Sequence, residues 1–171
     1  MTSVPHTHPA ATPSAPALPG VRLRLAAQAS ATGYVDGGWW PHSRDLVVEL
    51  PGLVTRLAPL LGAVTRISFT REAWQAAPPR LTVAGTAVTL AQSGSHDPYV
   101  VHVSGSDSRY VTLLVIPPEA LSTAAHHAMI TAARQDNTDR PVEILAAGDI
   151  VPDGLVPRLR VVSGQTVDDR A

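Results

Sequence analysis

The chain has 171 residues, a formal charge of −1, no cysteine, and thirteen basic side chains that are all arginine. The near-neutral charge argues against a nucleic-acid or anionic-membrane surface. The lack of cysteine excludes disulfides, thiolate metal sites and a cysteine nucleophile, and the lack of lysine excludes a lysine Schiff base or a P-loop.

Residues 1–20 carry Pro5, Pro9, Pro13, Pro16 and Pro19 among Ala, Ser and Thr. With no basic start and no continuous apolar run they do not read as a signal peptide, but as a disordered tail of polyproline-II character. His6 and His8 within it read as solvated. From Val21 the alternation of Val21, Leu23, Leu25 and Ala27 with Arg22, Arg24 and Gln28 predicts a half-buried strand. A glycine-rich loop follows, and Ser43, with Asp45 in the first turn, marks a helix start. Leu46, Leu50, Leu53, Val54, Leu57 and Leu61 supply an apolar face. Pro51 predicts a break into two short helices, and Gly62 a stop.

Five strand signals come next. Val64 to Thr70 places Ile67 and Phe69 on one face. Leu81 and Val83 lead through Gly85-Thr86 to Val88 and Leu90, a hairpin. Tyr99, Val101 and Val103 alternate with Val100, His102 and Ser104. Tyr110-Val-Thr-Leu-Leu-Val-Ile116 is apolar on both faces and reads as a central strand. Pro117-Pro118 ends it, and a helix from Glu119 to Arg134 carries Leu121, Ala125, Ala128, Met129 and Ala132 on one stripe, with Asn137 as its stop.

The expected class is α+β: an antiparallel sheet of five to seven strands, two short helices after strand 1, and a C-terminal helix packed on one face. A helix-grip-like arrangement is the alternative. Organisation is read as a tail over 1–20, one domain over 21–137, and an irregular extension over 138–171. In that extension Val142-Glu-Ile-Leu145 and Arg158-Leu-Arg-Val-Val162 could each add an edge strand. No apolar run is long enough for a membrane span, and the cysteine-free composition fits the cytoplasm.

The most unusual stretch is Val35-Asp-Gly-Gly-Trp-Trp-Pro-His-Ser-Arg-Asp-Leu46, which holds two of the three tryptophans. Followed by Glu49-Leu-Pro51 and, much later, Leu113-Leu-Val-Ile-Pro-Pro118, it resembles an uncharacterised actinobacterial family of the domain-of-unknown-function kind. The likeness spans roughly residues 22–135. It implies a small intracellular protein and transfers no catalytic residues.

Asp36 could orient a ligand or act as a base, or could fix the turn by accepting hydrogen bonds from the Gly37 and Gly38 amides. Trp39 and Trp40 point to opposite sides of an extended chain, so one anchors the core while the other packs under the helices or lines a groove. Arg44 serves the helix start or pairs with Asp36, and Trp74 closes one end of the sheet. His126 and His127 diverge by about 100° on a helix and cannot share a metal in the manner of an i, i+4 pair. A site from His96, His102 and His42 would need ligands from separate segments. No dinucleotide, P-loop, H-E-x-x-H or G-x-S-x-G motif occurs, and no cofactor or metal is implied. The expectation is a non-enzymatic binding or regulatory domain that meets an unknown protein partner through residues 33–44, using Asp36, Trp39, Trp40, Arg44 and Trp74. Nucleic acid and membrane are not expected partners. The alternative is a small-molecule-binding protein or enzyme with an apolar pocket between sheet and helices.

Overall fold

The structure, a computed structural model, describes residues 20–27, 33–92 and 97–151. Among the described residues seven strands form one mixed sheet: β1 (Leu23–Leu25), β2 (Gly37–Trp39), β3 (Val64–Phe69), β4 (Arg80–Val83), β5 (Thr86–Gln92), β6 (Val100–Gly105) and β7 (Tyr110–Val115), in the order β1-β2-β7-β6-β3-β5-β4. The class is α+β as expected, but the sheet is not purely antiparallel, since β2 pairs with β7 and β3 with β5 in parallel. Local alternation specifies which residues face the core and does not encode the direction of a distant neighbour. β7 is central, as its two-sided apolar pattern predicts.

Helix α1 runs unbroken from Leu46 to Leu61 through Pro51 and Pro59. The expectation of two short helices is therefore corrected. An interior proline costs about 3 kcal/mol. The six apolar residues read from the sequence, Leu46, Leu50, Leu53, Val54, Leu57 and Leu61, are all buried, and each contributes about 1.5–3 kcal/mol. The packing outweighs that penalty. The N-cap is Asp45 rather than Ser43: its carboxylate accepts from the Val47 amide at 3.0 Å and the Val48 amide at 3.4 Å. Gly62 ends the helix at φ 70°, a conformation that a side chain strains.

Helix α2 (Ser122–Ala132) keeps Ala125, Ala128, Met129 and Ala132 buried, whereas Leu121 stands at the N-cap 76% exposed. Leu121 therefore does not belong to the apolar stripe. The segment containing Val142-Glu-Ile-Leu145 is not a strand but helix α3 (Pro141–Ala147), with proline at its first position and the Arg140 amide donating to Glu143 at 2.7 Å. Residues 158–162, the other candidate strand, lie outside the described residues.

The helices cover both faces of the sheet, a second departure from the expected single face and from a helix-grip wrap. On one side α1 packs on Trp39, Ile67, Val101, Val103, Val111, Leu113 and Val115. On the other, α2 and α3 pack on Val100, Leu114 and Ile116, with Trp40, Ile144, Leu145 and Ile150. Successive residues Leu113 and Leu114 thus enter different cores, which is why β7 lacks a polar face.

Candidate functional site

The segment from Gly37 to Leu46 turns the chain from β2 into α1, and most of its side chains are engaged in holding that corner. Trp39 enters the α1 core and stacks on Trp74, centroids 5.2 Å apart. Trp40 enters the opposite core, where the Arg22 guanidinium lies 3.5 Å over its ring and His126 meets its edge. The same Arg22 donates through Nε to the Trp40 carbonyl at 3.0 Å and through Nη2 to that of Pro41 at 2.6 Å. Burial lowers the pKa of that guanidinium and the charge of Glu49 partly restores it. Ser43 donates to Glu49 at 2.9 Å, and His42 Nδ1 lies 3.6 Å from the same carboxylate. The opposed directions expected of Trp39 and Trp40 hold. Both are buried, because the sheet has a core on each side.

Asp36 does not serve the Gly37 and Gly38 amides. Its carboxylate accepts from the Thr112 amide of β7 at 2.9 Å, while its own amide donates to the Thr112 carbonyl at 2.7 Å and its carbonyl accepts from Ala26 at 2.8 Å. It clamps three segments at the entry to the sheet. Because the Asn side chain keeps an acceptor oxygen, Asp36→Asn is expected to leave the melting temperature nearly unchanged. Asp36→Ala strands the buried Thr112 amide and should lose about 1–3 kcal/mol. Thermal melts of both decide it, since equal losses would make the charge, not the acceptor, what matters.

Arg44 is placed differently. Its guanidinium reaches across to Glu119, 75 residues away, with Nε to Oε1 at 2.9 Å and Nη2 to Oε2 at 3.1 Å. These hydrogen bonds hold the Glu119 carboxyl below its ordinary pKa, against a smaller opposing effect of desolvation. The pair borders a groove of about 1180 Å³. The groove lies past the ends of β3 and β7, walled by Thr70 and Glu72, by Pro98 and Tyr99, by Pro117 to Ala124, by His127, and by residues 147–151 that follow α3. Three carboxylates line it, Glu72, Glu119 and Asp149, against one guanidinium already committed to Glu119. Leu121 is 76% and Val151 69% exposed there. A smaller void of about 20 Å³ shares the Arg44, Ala73, Pro98, Tyr99 and Pro117 walls and touches Trp74. The Trp74 Nε1 is buried with no hydrogen-bond partner among the described residues.

Of the five candidates singled out in the sequence, Arg44 borders both cavities and Trp74 the smaller one, whereas Asp36, Trp39 and Trp40 line neither. Glu72, Tyr99, Glu119, Leu121 and Asp149 were not singled out; no motif marks them, and only the fold brings them together. Among the described residues no three His, Asp or Glu side chains gather as metal ligands. His102 instead shares a contact of 3.1 Å with the Thr112 hydroxyl, and His96 lies outside the described residues. No helix among the described residues is long and apolar enough to cross a membrane.

Searches of curated proteins and of solved structures find no match to this chain. The model of DUF5994, a family of unknown function, matches residues 22–132, which takes in the whole corner motif, the sheet and α2. The chain belongs to that family.

Proposed function

We propose that the protein is a non-enzymatic binding domain whose partner is an extended peptide segment, apolar and basic in character, lying in the groove that Arg44 borders. The observation carrying this reading is the groove's lining, three carboxylates beside the exposed Leu121 and Val151. Burying a large apolar side chain stabilises by about 1.5–3 kcal/mol, so two such residues left in solvent at an acidic cleft mark a contact surface better than a packing leftover. Its volume of about 1180 Å³ exceeds the usual 300–1,000 Å³ or so of a small-molecule pocket. The contact surface thus takes in the Arg44 end of the loop expected from the sequence. The tryptophans stiffen that loop from beneath.

A second reading, a small-molecule site between sheet and helices, is favoured by the unpartnered Trp74 Nε1 beside the smaller void. That void, about 20 Å³, holds little more than one water. The peptide reading therefore stands first.

Panning a displayed peptide library against the full chain tests it. Recovered sequences should combine aliphatic residues with Arg or Lys. The triple variant Glu72→Gln, Glu119→Gln, Asp149→Asn should bind them at least tenfold more weakly. Its melting temperature should stay within about 2 °C of wild type, because exposed ion pairs contribute about 0–1 kcal/mol. No enrichment, or equal binding by the triple variant, would refute the reading.

A further inference from the structure

The C-terminal end of the described residues lines the groove. After α3 the backbone passes through Asp149 at φ 56°, buries Ile150, and presents Val151 in the groove wall. Residues 152–171 therefore follow in sequence directly on a residue of the groove wall. They begin Pro152-Asp-Gly and continue Leu155-Val-Pro-Arg-Leu-Arg-Val-Val162. That stretch carries two arginines and no acidic residue, opposite in sign to the three carboxylates of the groove. In an extended conformation Leu159 and Val161 share one side and Arg158 and Arg160 the other. Six residues lie between Val151 and Arg158, and the seven steps reach up to about 25 Å, which lets the arginines lie back over Glu72, Glu119 and Asp149. Residues 147–151, one wall of the groove, fall outside the stretch matched by the family.

We propose that residues 155–162 dock in the groove, with Leu159 and Val161 against the exposed Leu121 and Val151 and the two arginines over the carboxylates. The segment is then an internal competitor that a partner must displace, so the inference rests on the groove being a peptide site and specifies how that site is regulated. Wild-type affinity for an outside peptide is reduced by the fraction of time the groove is filled.

The absence of cysteine makes a direct test clean. In the full chain, the pair Thr123→Cys and Leu159→Cys places one thiol in the groove wall and one in the tail. The control pair Thr82→Cys and Leu159→Cys puts the first thiol on β4, which contributes no residue to the groove. Under oxidised glutathione the 123–159 disulfide should form within one chain at least tenfold faster than the 82–159 disulfide. Arg158→Glu with Arg160→Glu, changes outside the described fold, should slow it severalfold and should tighten binding of a library-selected peptide about tenfold. Equal rates for the two pairs, a rate indifferent to charge reversal, or a disulfide formed only between two chains would overturn the inference. If selected peptides still bind and lose affinity in the triple carboxylate variant, the binding reading survives that failure. If they do not bind either, both fall.

Discussion

Trp39→Ala is expected to destabilise the fold by about 3–5 kcal/mol, the range for removing a large aromatic from a core. Trp39 is 1% exposed, the bulkiest fully buried side chain among the described residues, and stacks on Trp74 with 22° between the ring planes. It sits on β2 at the point where its carbonyl accepts from the Ile116 amide at 2.9 Å. The void left by truncation would open at the junction of β2, α1 and the Trp74 loop, whose backbones are fixed by other contacts, so little collapse is available. At about 2–4 °C per kcal/mol for a chain of this size the melting temperature should fall about 6–20 °C. Trp74→Ala should lose less. Trp74 is also buried, but its ring nitrogen has no partner among the described residues, and deleting an unsatisfied donor returns part of the lost packing energy, about 1–3 kcal/mol. Thermal melts of both variants give the order. A Trp39→Ala protein melting within 2 °C of wild type would contradict the core packing.

How far the fold could be read in advance depended on the range of the interaction involved. The α1 face was legible residue for residue, because a 3.6 period over sixteen positions is a local property. Pro51 misled because its penalty is local and its compensation, six buried side chains, is not. β2 was hidden by its composition: Gly37 and Gly38 are poor strand formers, and its partner β7 lies more than seventy residues away. The residues of α3 form a short apolar run whose period fits strand or helix, and there the proline at the first position and Glu143 were the signals that should have decided it. The groove was not legible at all. Its Arg44–Glu119 bridge spans 75 residues, and Arg44 was singled out for its place in an unusual motif, whose other members hold the corner together.

Gly38→Ala is expected to cost about 1–3 kcal/mol, as overpacking a core does, although one methyl group is all it adds. The two glycines of the motif are not there for a left-handed backbone, since among the described glycines only Gly62 and Gly85 have positive φ. Gly38 is there for distance. A Cβ at this position would lie 2.9 Å from the Met129 Cα, 3.3 Å from its Cγ and 3.4 Å from the Ala132 Cβ. The first is helix backbone, which cannot rotate away as a side-chain tip can, so α2 must move off the sheet. Moving it would loosen Ala125, Ala128 and Ala132, each fully buried, and small residues there are consistent with a helix seated close on glycine. The consequence is specific. Met129→Ala removes the Cγ contact but leaves the Cα where it is. The Gly38→Ala, Met129→Ala double variant should therefore stay at least as unstable as Gly38→Ala alone. Denaturant midpoints for the two single variants and the double variant measure this. Recovery of the double variant to the level of Met129→Ala would show that the Met129 side chain, rather than the α2 backbone, is what requires glycine at position 38.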